Sequence, residues 1–160
     1  MIDWLKRNGV EYEIHEHRAS FTARETARAD GVEPTTFAKV VGVVTGDGRQ
    51  AMLVLDATDQ LDLRKARKAI ETGHVRLMTE DELAQLAAGC DVGALPALGA
   101  LFGLPMYADY AVRDDREISF NAGSHLHSVR VDRLAWERAS GVVYADLAED
   151  YDRRPAWSRS

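Results

Sequence analysis

The chain has 160 residues, of which 46% are apolar and 29% charged, and its formal net charge is −6. This composition excludes a disordered chain, and the acidic balance argues against a protein that grips long nucleic acid through many phosphates. Cys90 is the only cysteine, so an intramolecular disulfide and a metal site built on paired cysteines are excluded.

The start of the chain, MIDWLKRNGVEYEIHEH, has no apolar run behind its positive charges and does not resemble a secretory signal. The longest apolar stretch, residues 93–107, is interrupted by Gly and Pro and is shorter than the roughly 20 residues of a membrane span. These features predict a cytoplasmic protein with no membrane contact. We expect one domain over residues 1–150 and a flexible tail over residues 151–160, because YDRRPAWSRS is polar and lacks periodicity.

The first half of the chain alternates short helices with β-rich runs. In chain order, the pattern predicts a helix from Ile2 to Asn8, a strand from Tyr12 to His15, a capped helix near residues 22–32, and strands at Phe37 to Thr45 and Gln50 to Leu55 joined by the hairpin residues 46–49.

The second half begins with two helices and continues with strands. The pattern predicts a helix from Leu63 to Glu71, capped by Asp62 and ended by Gly73, and a second helix that the Thr79–Glu82 capping box opens and that reaches Ala88 before Gly89 ends it. Strands are predicted at Met106 to Val112, Ile118 to Asn121 and Ser128 to Val131. A last helix, capped by Asp132, is predicted from Arg133 to Ala139. This order predicts an α+β fold with a mixed or antiparallel sheet, for which closure into a barrel is one arrangement.

Lys39 is a candidate site residue because it lies in the apolar strand FAKVV. An inward-facing ammonium group there is costly unless it meets an anion or a set of acceptors. The alternative is a lysine that extends from a strand edge into water.

Two Gly-containing segments follow. GALPALG, from Gly93 to Gly99 with Pro96 inside, can present backbone N–H groups to an anionic or carbonyl oxygen, although Gly and Pro also mark ordinary turns. In FNAGSH, polar groups that suit a carbonyl or a ribose hydroxyl follow a strand: those of Asn121, Gly123, Ser124 and His125.

Several other chemistries have little support. His125 and His127 share a strand face, but no third metal ligand stands at a suitable spacing, so neither a metal nor a cofactor is expected. Ser124 and His125 are neighbours on a strand and point to opposite faces, which argues against a catalytic triad. Asp109 suits the orientation of a water or a substrate amine, or is a solvent-facing strand carboxylate.

Five segments resemble the YbaK/prolyl-tRNA synthetase-associated editing domain family, particularly its free-standing members. In order, they are YEIHEHRASFTARETA, FAKVV around Lys39, RLMTEDEL from Arg76, GALPALGALFGLPMYAD from Gly93, and ISFNAGSH from Ile118. The resemblance covers most of the chain from Tyr12 to about Leu147. It implies a mixed α/β fold around a partly closed, barrel-like sheet with surrounding helices, and hydrolysis of the ester between a wrongly attached amino acid and its tRNA.

The resemblance implies catalytic roles for Lys39, Gly93 and Gly99 and places the other candidates in the substrate pocket: Pro96, Asp109, Asn121, Gly123, Ser124 and His125. The resemblance implies that the partner is the acceptor end of a misacylated tRNA and that the protein does not bind DNA. An aminoacyl-tRNA synthetase is a possible second partner. Relatives often read GAxPPFG where this chain has Ala97 and Leu98, so the amino acid removed is not implied. His127 stands where relatives carry another polar residue and is given no role.

Other readings stay open. One is a non-catalytic module that binds tRNA, a nucleotide or an amino acid in the same pocket, and another is hydrolysis of a different small aminoacyl ester or amide. Four basic residues of the helix that follows Asp62 form either a tRNA-facing surface or a solvated face: Arg64, Lys65, Arg67 and Lys68.

Overall fold

A computed structural model describes residues 1–16 and 37–150. Its helices are α1 (Ile2–Arg7), α2 (Leu63–Ile70), α3 (Glu80–Leu86) and α4 (Arg133–Ser140). Its strands are β1 (Tyr12–Glu16), β2 (Ala38–Thr45), β3 (Gln50–Asp56), β4 (Val75–Leu77), β5 (Met106–Asp109), β6 (Glu117–Ser124), β7 (His127–Asp132) and β8 (Val143–Ala145). Two 3₁₀ turns span Gly99–Phe102 and Tyr110–Asp114.

Side-chain caps set the starts of three helices, as the sequence predicts. Asp62 accepts the Arg64 N–H at the start of α2, and the Asp132 carboxylate accepts an N–H in the first turn of α4. Both halves of the predicted Thr79–Glu82 capping box are present at α3. The predicted end of α2 at Gly73 is wrong, because Glu71 adopts the left-handed conformation, with φ 60°, and ends the helix earlier.

The strands form two sheets. β1, β7 and β6 make an antiparallel sheet of that order, and β4-β2-β3-β5-β8 make a mixed sheet in which β3, β5 and β8 are parallel. A parallel bridge between Phe37 and Ser119 links the start of β2 to β6. The predicted α+β class and mixed sheet are confirmed, whereas these two sheets do not confirm a partly closed barrel.

Strand β3 separates two hydrophobic clusters, which explains its continuous apolar run. Met52 and Val54 belong to one cluster, and Leu53 and Leu55 to the other. Successive side chains of a strand point to opposite faces, so an unbroken apolar run indicates burial on both faces. We call the cluster around Met52 the first core and the cluster around Leu55 the second core.

The region around Asp109 departs from prediction. The strand predicted from Met106 to Val112 ends at Asp109, because the Asp109 carboxylate accepts the Ala111 N–H and starts the 3₁₀ turn. The short strands β4 and β8 are absent from the prediction. The capped helix predicted near residues 22–32 and the tail over residues 151–160 lie outside the described residues. Within the described ranges, no helix is long and apolar enough to cross a membrane.

Candidate active site

Strand β6 brings together the segments that the sequence singles out. Its Ser119 bridges to Phe37, two residues before Lys39. Further along β6, Gly123 accepts the Asp91 N–H at 2.8 Å and donates its own N–H to the Ala94 carbonyl at 2.9 Å. The start of β2 and the start of the Gly/Pro loop, which we define as Gly93–Gly99, therefore lie along the same strand.

Lys39 lies at the end of the β2–β3 hairpin. It pairs with Leu55, its side chain is half-buried, and its ammonium group donates to the backbone carbonyl of Asp59. Residues directly opposite each other in a sheet have side chains on the same face, so Lys39 lies on the face of the second core. The inward-facing ammonium group of Lys39 thus has a main-chain acceptor. Its positive charge lies at the end of the mixed sheet where β2 begins and β3 ends.

The Gly/Pro loop is mostly buried and retains donor groups. Ala94, Leu95 and the residues up to Gly99 are buried, whereas Gly93 is exposed. Among the described residues, the backbone hydrogen bonds of the loop leave the N–H groups of Leu95, Ala97 and Gly99 without a backbone acceptor. Closely spaced backbone N–H groups without acceptors are suited to hold a carbonyl oxygen or an anion.

Two contacts fix the shape of the loop. The indole Nε1 of Trp136, a fully buried residue of α4, donates to the Ala97 carbonyl at 2.7 Å. Gly99 packs so closely that a Cβ there would lie 2.6 Å from the Leu104 carbonyl oxygen, and the Leu104 N–H donates back to Gly99 at 3.0 Å. The absence of a side chain at Gly99 is therefore a packing requirement of the loop.

The FNAGSH segment is tied to the loop by further hydrogen bonds. The His125 N–H donates to the Asp91 carboxylate at 3.0 Å, and its ring Nε2 lies 2.9 Å from the Val92 carbonyl. Gly123 has φ +88°, which favours glycine, and lies at a register shift between β6 and β7. The Ser124 hydroxyl accepts the Leu126 N–H at 3.0 Å.

Asn121 offers an acceptor to a ligand. The residue is 5% exposed, and its Oδ1 has no hydrogen-bond partner among the residues that the structure describes. Asn121 lies on β6 between Ser119, which bridges to Phe37, and Gly123, which contacts the Gly/Pro loop. A buried acceptor without a donor is costly, and the ammonium or hydroxyl group of a ligand would remove that cost.

A family model described as the aminoacyl-tRNA editing domain matches residues 17–139. This match spans most of the chain. The chain belongs to the aminoacyl-tRNA editing domain family. The resemblance inferred from the five sequence segments is confirmed.

Two curated relatives of this editing domain are proline–tRNA ligases from two strains of Acidithiobacillus ferrooxidans. Each is 29% identical over 117 residues, which cover 73% of this chain and 20% of the ligase. The chain therefore spans about a fifth of the length of the curated relatives it matches.

Solved structures share the fold of this editing domain. The crystal structure of a candidate trans-editing enzyme for prolyl-tRNA synthetase is 26% identical, with a TM-score of 0.80 and coverage of 92% of this chain and 94% of that chain. The crystal structure of a hypothetical protein has a TM-score of 0.84 at 20% identity and covers 92% of this chain and 98% of that chain.

The carboxylate of Asp109 accepts hydrogen bonds from backbone N–H groups of the editing domain. One carboxylate oxygen accepts the N–H groups of Leu147 at 2.8 Å and Ala148 at 2.9 Å, and the other accepts the Ala111 N–H at 3.0 Å. The residue is 5% exposed. The structure thus places Asp109 on the fifth strand, two strands from Lys39, with hydrogen bonds that stabilise the fold.

Two acidic side chains lie beside the start of β2. Asp56 pairs with Ala38 and is 7% exposed, and its buried Oδ1 and the buried Asp115 Oδ2 have no donor among the described residues. Burial, followed by repulsion from Asp115, Asp59 and Asp109, raises the pKa of Asp56 to about 8. Burial also raises the pKa of Asp115 to about 6. One proton shared between the two carboxyl groups would satisfy both oxygens.

Sequence reasoning missed a series of polar contacts between β6, β7 and β1. His127 Nδ1 lies 3.4 Å from the Ser124 hydroxyl, and its Nε2 lies 3.1 Å from the Glu16 carboxylate. The register shift in β6 brings Ser124 opposite His127, and a spacing rule for regular strands does not anticipate such a pairing. Within the described ranges, no three potential metal ligands come together.

Proposed function

We propose that this editing domain hydrolyses the ester bond of misacylated tRNA in trans. The observation that carries the proposal is that β6 contacts both the start of β2, two residues before Lys39, and the start of the buried Gly/Pro loop. Asn121 lies between these two contacts, and several loop N–H groups lack backbone acceptors among the described residues. Family membership and the likeness to a candidate trans-editing enzyme support it.

The loop would act on the ester carbonyl. In ester hydrolysis, negative charge develops on the carbonyl oxygen when a nucleophile attacks, and preorganised N–H donors stabilise that charge. The donors would be the N–H groups of Leu95, Ala97 and Gly99, with Gly93 at the exposed entrance. The Lys39 ammonium would position the substrate through its carbonyl or phosphate oxygens.

The attacking group would come from water or from the substrate itself. When water attacks, its oxygen bonds to the carbonyl carbon, the bond from that carbon to the ribose oxygen breaks, and the ribose oxygen takes up a proton. The enzyme then needs position and charge stabilisation rather than a nucleophilic side chain. This mechanism is consistent with the sequence, which lacks a nucleophile motif.

The remaining candidates would line the pocket. Asn121 would accept from the substrate amine or a ribose hydroxyl, Pro96 and Gly123 would shape the walls, and Ser124 and His125 would contribute polar groups at the rim. Asp109, proposed from sequence as a substrate residue, would act mainly through the fold.

Substrate choice depends on the packing of the loop. The Ala97 and Leu98 side chains, which depart from the pattern of relatives, are fully buried in the first core rather than exposed. They would therefore influence the pocket through the position of the loop backbone. The partner we propose is the acceptor end of a misacylated tRNA, and a synthetase that delivers it is an additional partner.

A panel of tRNAs mischarged with different amino acids tests this function. The wild-type protein is expected to release at least one amino acid, and Lys39→Ala is expected to lower kcat/KM by about 100-fold or more, the scale of losing one group that stabilises the transition state. Lys6→Ala removes an exposed lysine from α1 and serves as the matched control.

Other outcomes separate the alternatives. Tight binding of charged tRNA with no release by any protein would support a non-catalytic module and contradict the proposal. Equal efficiency on a free aminoacyl ester and on its tRNA-linked form would support a general aminoacyl esterase.

A further inference from the structure

The Lys39 end of the larger sheet carries a second surface. β2 begins opposite the end of β3, because Ala38 pairs with Asp56, and β5 and β8 run parallel to β3 and end in the same direction. Tyr110, which follows β5, therefore lies at the same end as Lys39. Adjacent strands are about 4.8 Å apart, which puts the two backbone positions about 10 Å apart across two strand spacings.

The second surface is a cleft of about 280 Å³ between α2 and the residues that follow β5 and β8. α2 packs on the second core through Ala66 and Ile70, which is the face on which Lys39 lies. The lining residues are Lys65, Lys68, Ala69, Tyr110, Ala145 and Asp146.

An aromatic ring with a cation stacked on it forms one wall of the cleft. Tyr110 is 46% exposed. The Arg113 guanidinium carbon lies 4.9 Å from the centre of the Tyr110 ring and 5.8 Å from that of Tyr144. The stacked Arg113 holds the Tyr110 ring in place, so little side-chain freedom is lost when a flat group stacks against it.

The charges of the cleft are only partly neutralised. Lys65 contacts the carboxylates of Asp146 at 3.0 Å and Asp150 at 2.8 Å. Lys68 is exposed and makes no ion pair with any described residue, and Arg113 is exposed beside the cleft. Lys68, which lines the cleft, and Arg113, which stacks on Tyr110, therefore present positive charge near an exposed aromatic ring.

We infer that this cleft binds the single-stranded 3′ end of the RNA substrate, with a base stacked on Tyr110 and a backbone phosphate near Lys68. Aromatic stacking combined with nearby cations is the common chemistry of single-strand binding, and it tolerates any base. The inference rests on the proposed function, because the aminoacyl group of the same strand would occupy the Lys39 site. An acidic protein surface would use the cations but would not need the ring to lie open.

Steady-state kinetics on mischarged tRNA and on a free aminoacyl ester test the inference. Tyr110→Ala is expected to raise KM for the tRNA about 10-fold, the scale of losing one stacked base, with kcat unchanged. Rates on the free ester should stay at the wild-type value, because it lacks the stacked nucleotide. Tyr110→Phe keeps the ring and should restore the wild-type KM, and Arg138→Ala removes an exposed charge from α4 as a control.

A second variant guards against misfolding at Tyr110. Lys68→Glu changes an exposed side chain and should weaken binding of a short RNA ending in CCA. The salt dependence of RNA binding should also fall, by about the amount expected for the loss of one phosphate contact. Wild-type KM in Tyr110→Ala, or unchanged RNA binding in Lys68→Glu, would overturn the inference. If the inference fails in this way but Lys39→Ala still loses turnover, the proposed function is retained. If the protein binds the RNA but hydrolyses no mischarged tRNA, the proposed function is wrong and RNA binding by the cleft is retained.

Discussion

Two buried carboxyl groups show how single residues couple this fold to pH. Asp56 and Asp115 have pKa values raised from the ordinary 3.8 to about 8 and about 6, respectively. The charged groups that face the pair are Asp59, Asp109 and Asp114 together with Arg133. Raised carboxyl pKa values mean that the folded chain binds more protons than the unfolded chain between about pH 4 and pH 8. Stability contributed by the pair therefore falls as pH rises through that range.

Replacement of Asp115 by Asn tests the shared proton. The amide N–H would donate to Asp56 at every pH, so Asp115→Asn should be more stable than wild type at pH 8, by about 1–2 kcal/mol. That gain corresponds to a rise of roughly 3–6 °C in Tm. At pH 5 the two proteins should unfold at similar temperatures. Thermal unfolding followed by circular dichroism from pH 4 to pH 9 measures both, and parallel curves for the two proteins would show that no proton is shared.

At the scale of elements, the sequence predicts the helix starts well, because local side-chain caps determine them. Asp62, the Thr79–Glu82 pair and Asp132 each satisfy backbone N–H groups at a helix start, and all three helices begin where predicted. β4 and β8 are three residues long and gain their order from neighbouring strands, so no alternation in the sequence marks them. The turn after Asp109 was missed although its cap is local, since the Asp109 carboxylate accepts the N–H of Ala111, two residues further on.

Asp109 joins three elements, and its substitution should damage the fold before it changes substrate binding. Asp109→Ala leaves the N–H groups of Ala111, Leu147 and Ala148 without their acceptor. Unpaired buried donors cost about 1–3 kcal/mol each when water cannot replace the partner, so we expect a loss of about 2–4 kcal/mol after local relaxation.

Urea unfolding of Asp109→Ala, combined with kinetics of the folded protein, measures both effects. Glu13→Ala, which removes an exposed carboxylate from β1, is the control. Full stability with a raised KM would instead assign Asp109 to the substrate pocket.

At the scale of the whole molecule, the site depends on contacts between distant parts of the chain. Sequence motifs indicated Lys39, the Gly/Pro loop and FNAGSH separately, and their resemblance to one family suggested a common pocket. The bridge from Phe37 to Ser119 and the paired hydrogen bonds at Gly123 depend on tertiary register, which local patterns do not encode. The Ser124–His127 contact and the raised pKa of Asp56 were missed for this reason.

Trp136 provides the long-range contact that holds the Gly/Pro loop against the first core. Its indole donates to the Ala97 carbonyl 39 residues away, and both residues are fully buried. Trp136→Phe keeps an aromatic ring but leaves the carbonyl without a donor and leaves space in the core. The cost should be about 2–3 kcal/mol.

The same substitution should also loosen the loop that we propose holds the ester carbonyl. We expect kcat for mischarged tRNA to fall several-fold in Trp136→Phe, because donors that are less firmly held stabilise the developing charge less well. Trp4→Phe, in a partly buried residue packed on the same core, tests the general effect of losing an indole. Equal stability and equal kcat in the two variants would show that the Ala97 contact does not position the loop, whereas a kcat loss confined to Trp136→Phe would link the core to catalysis.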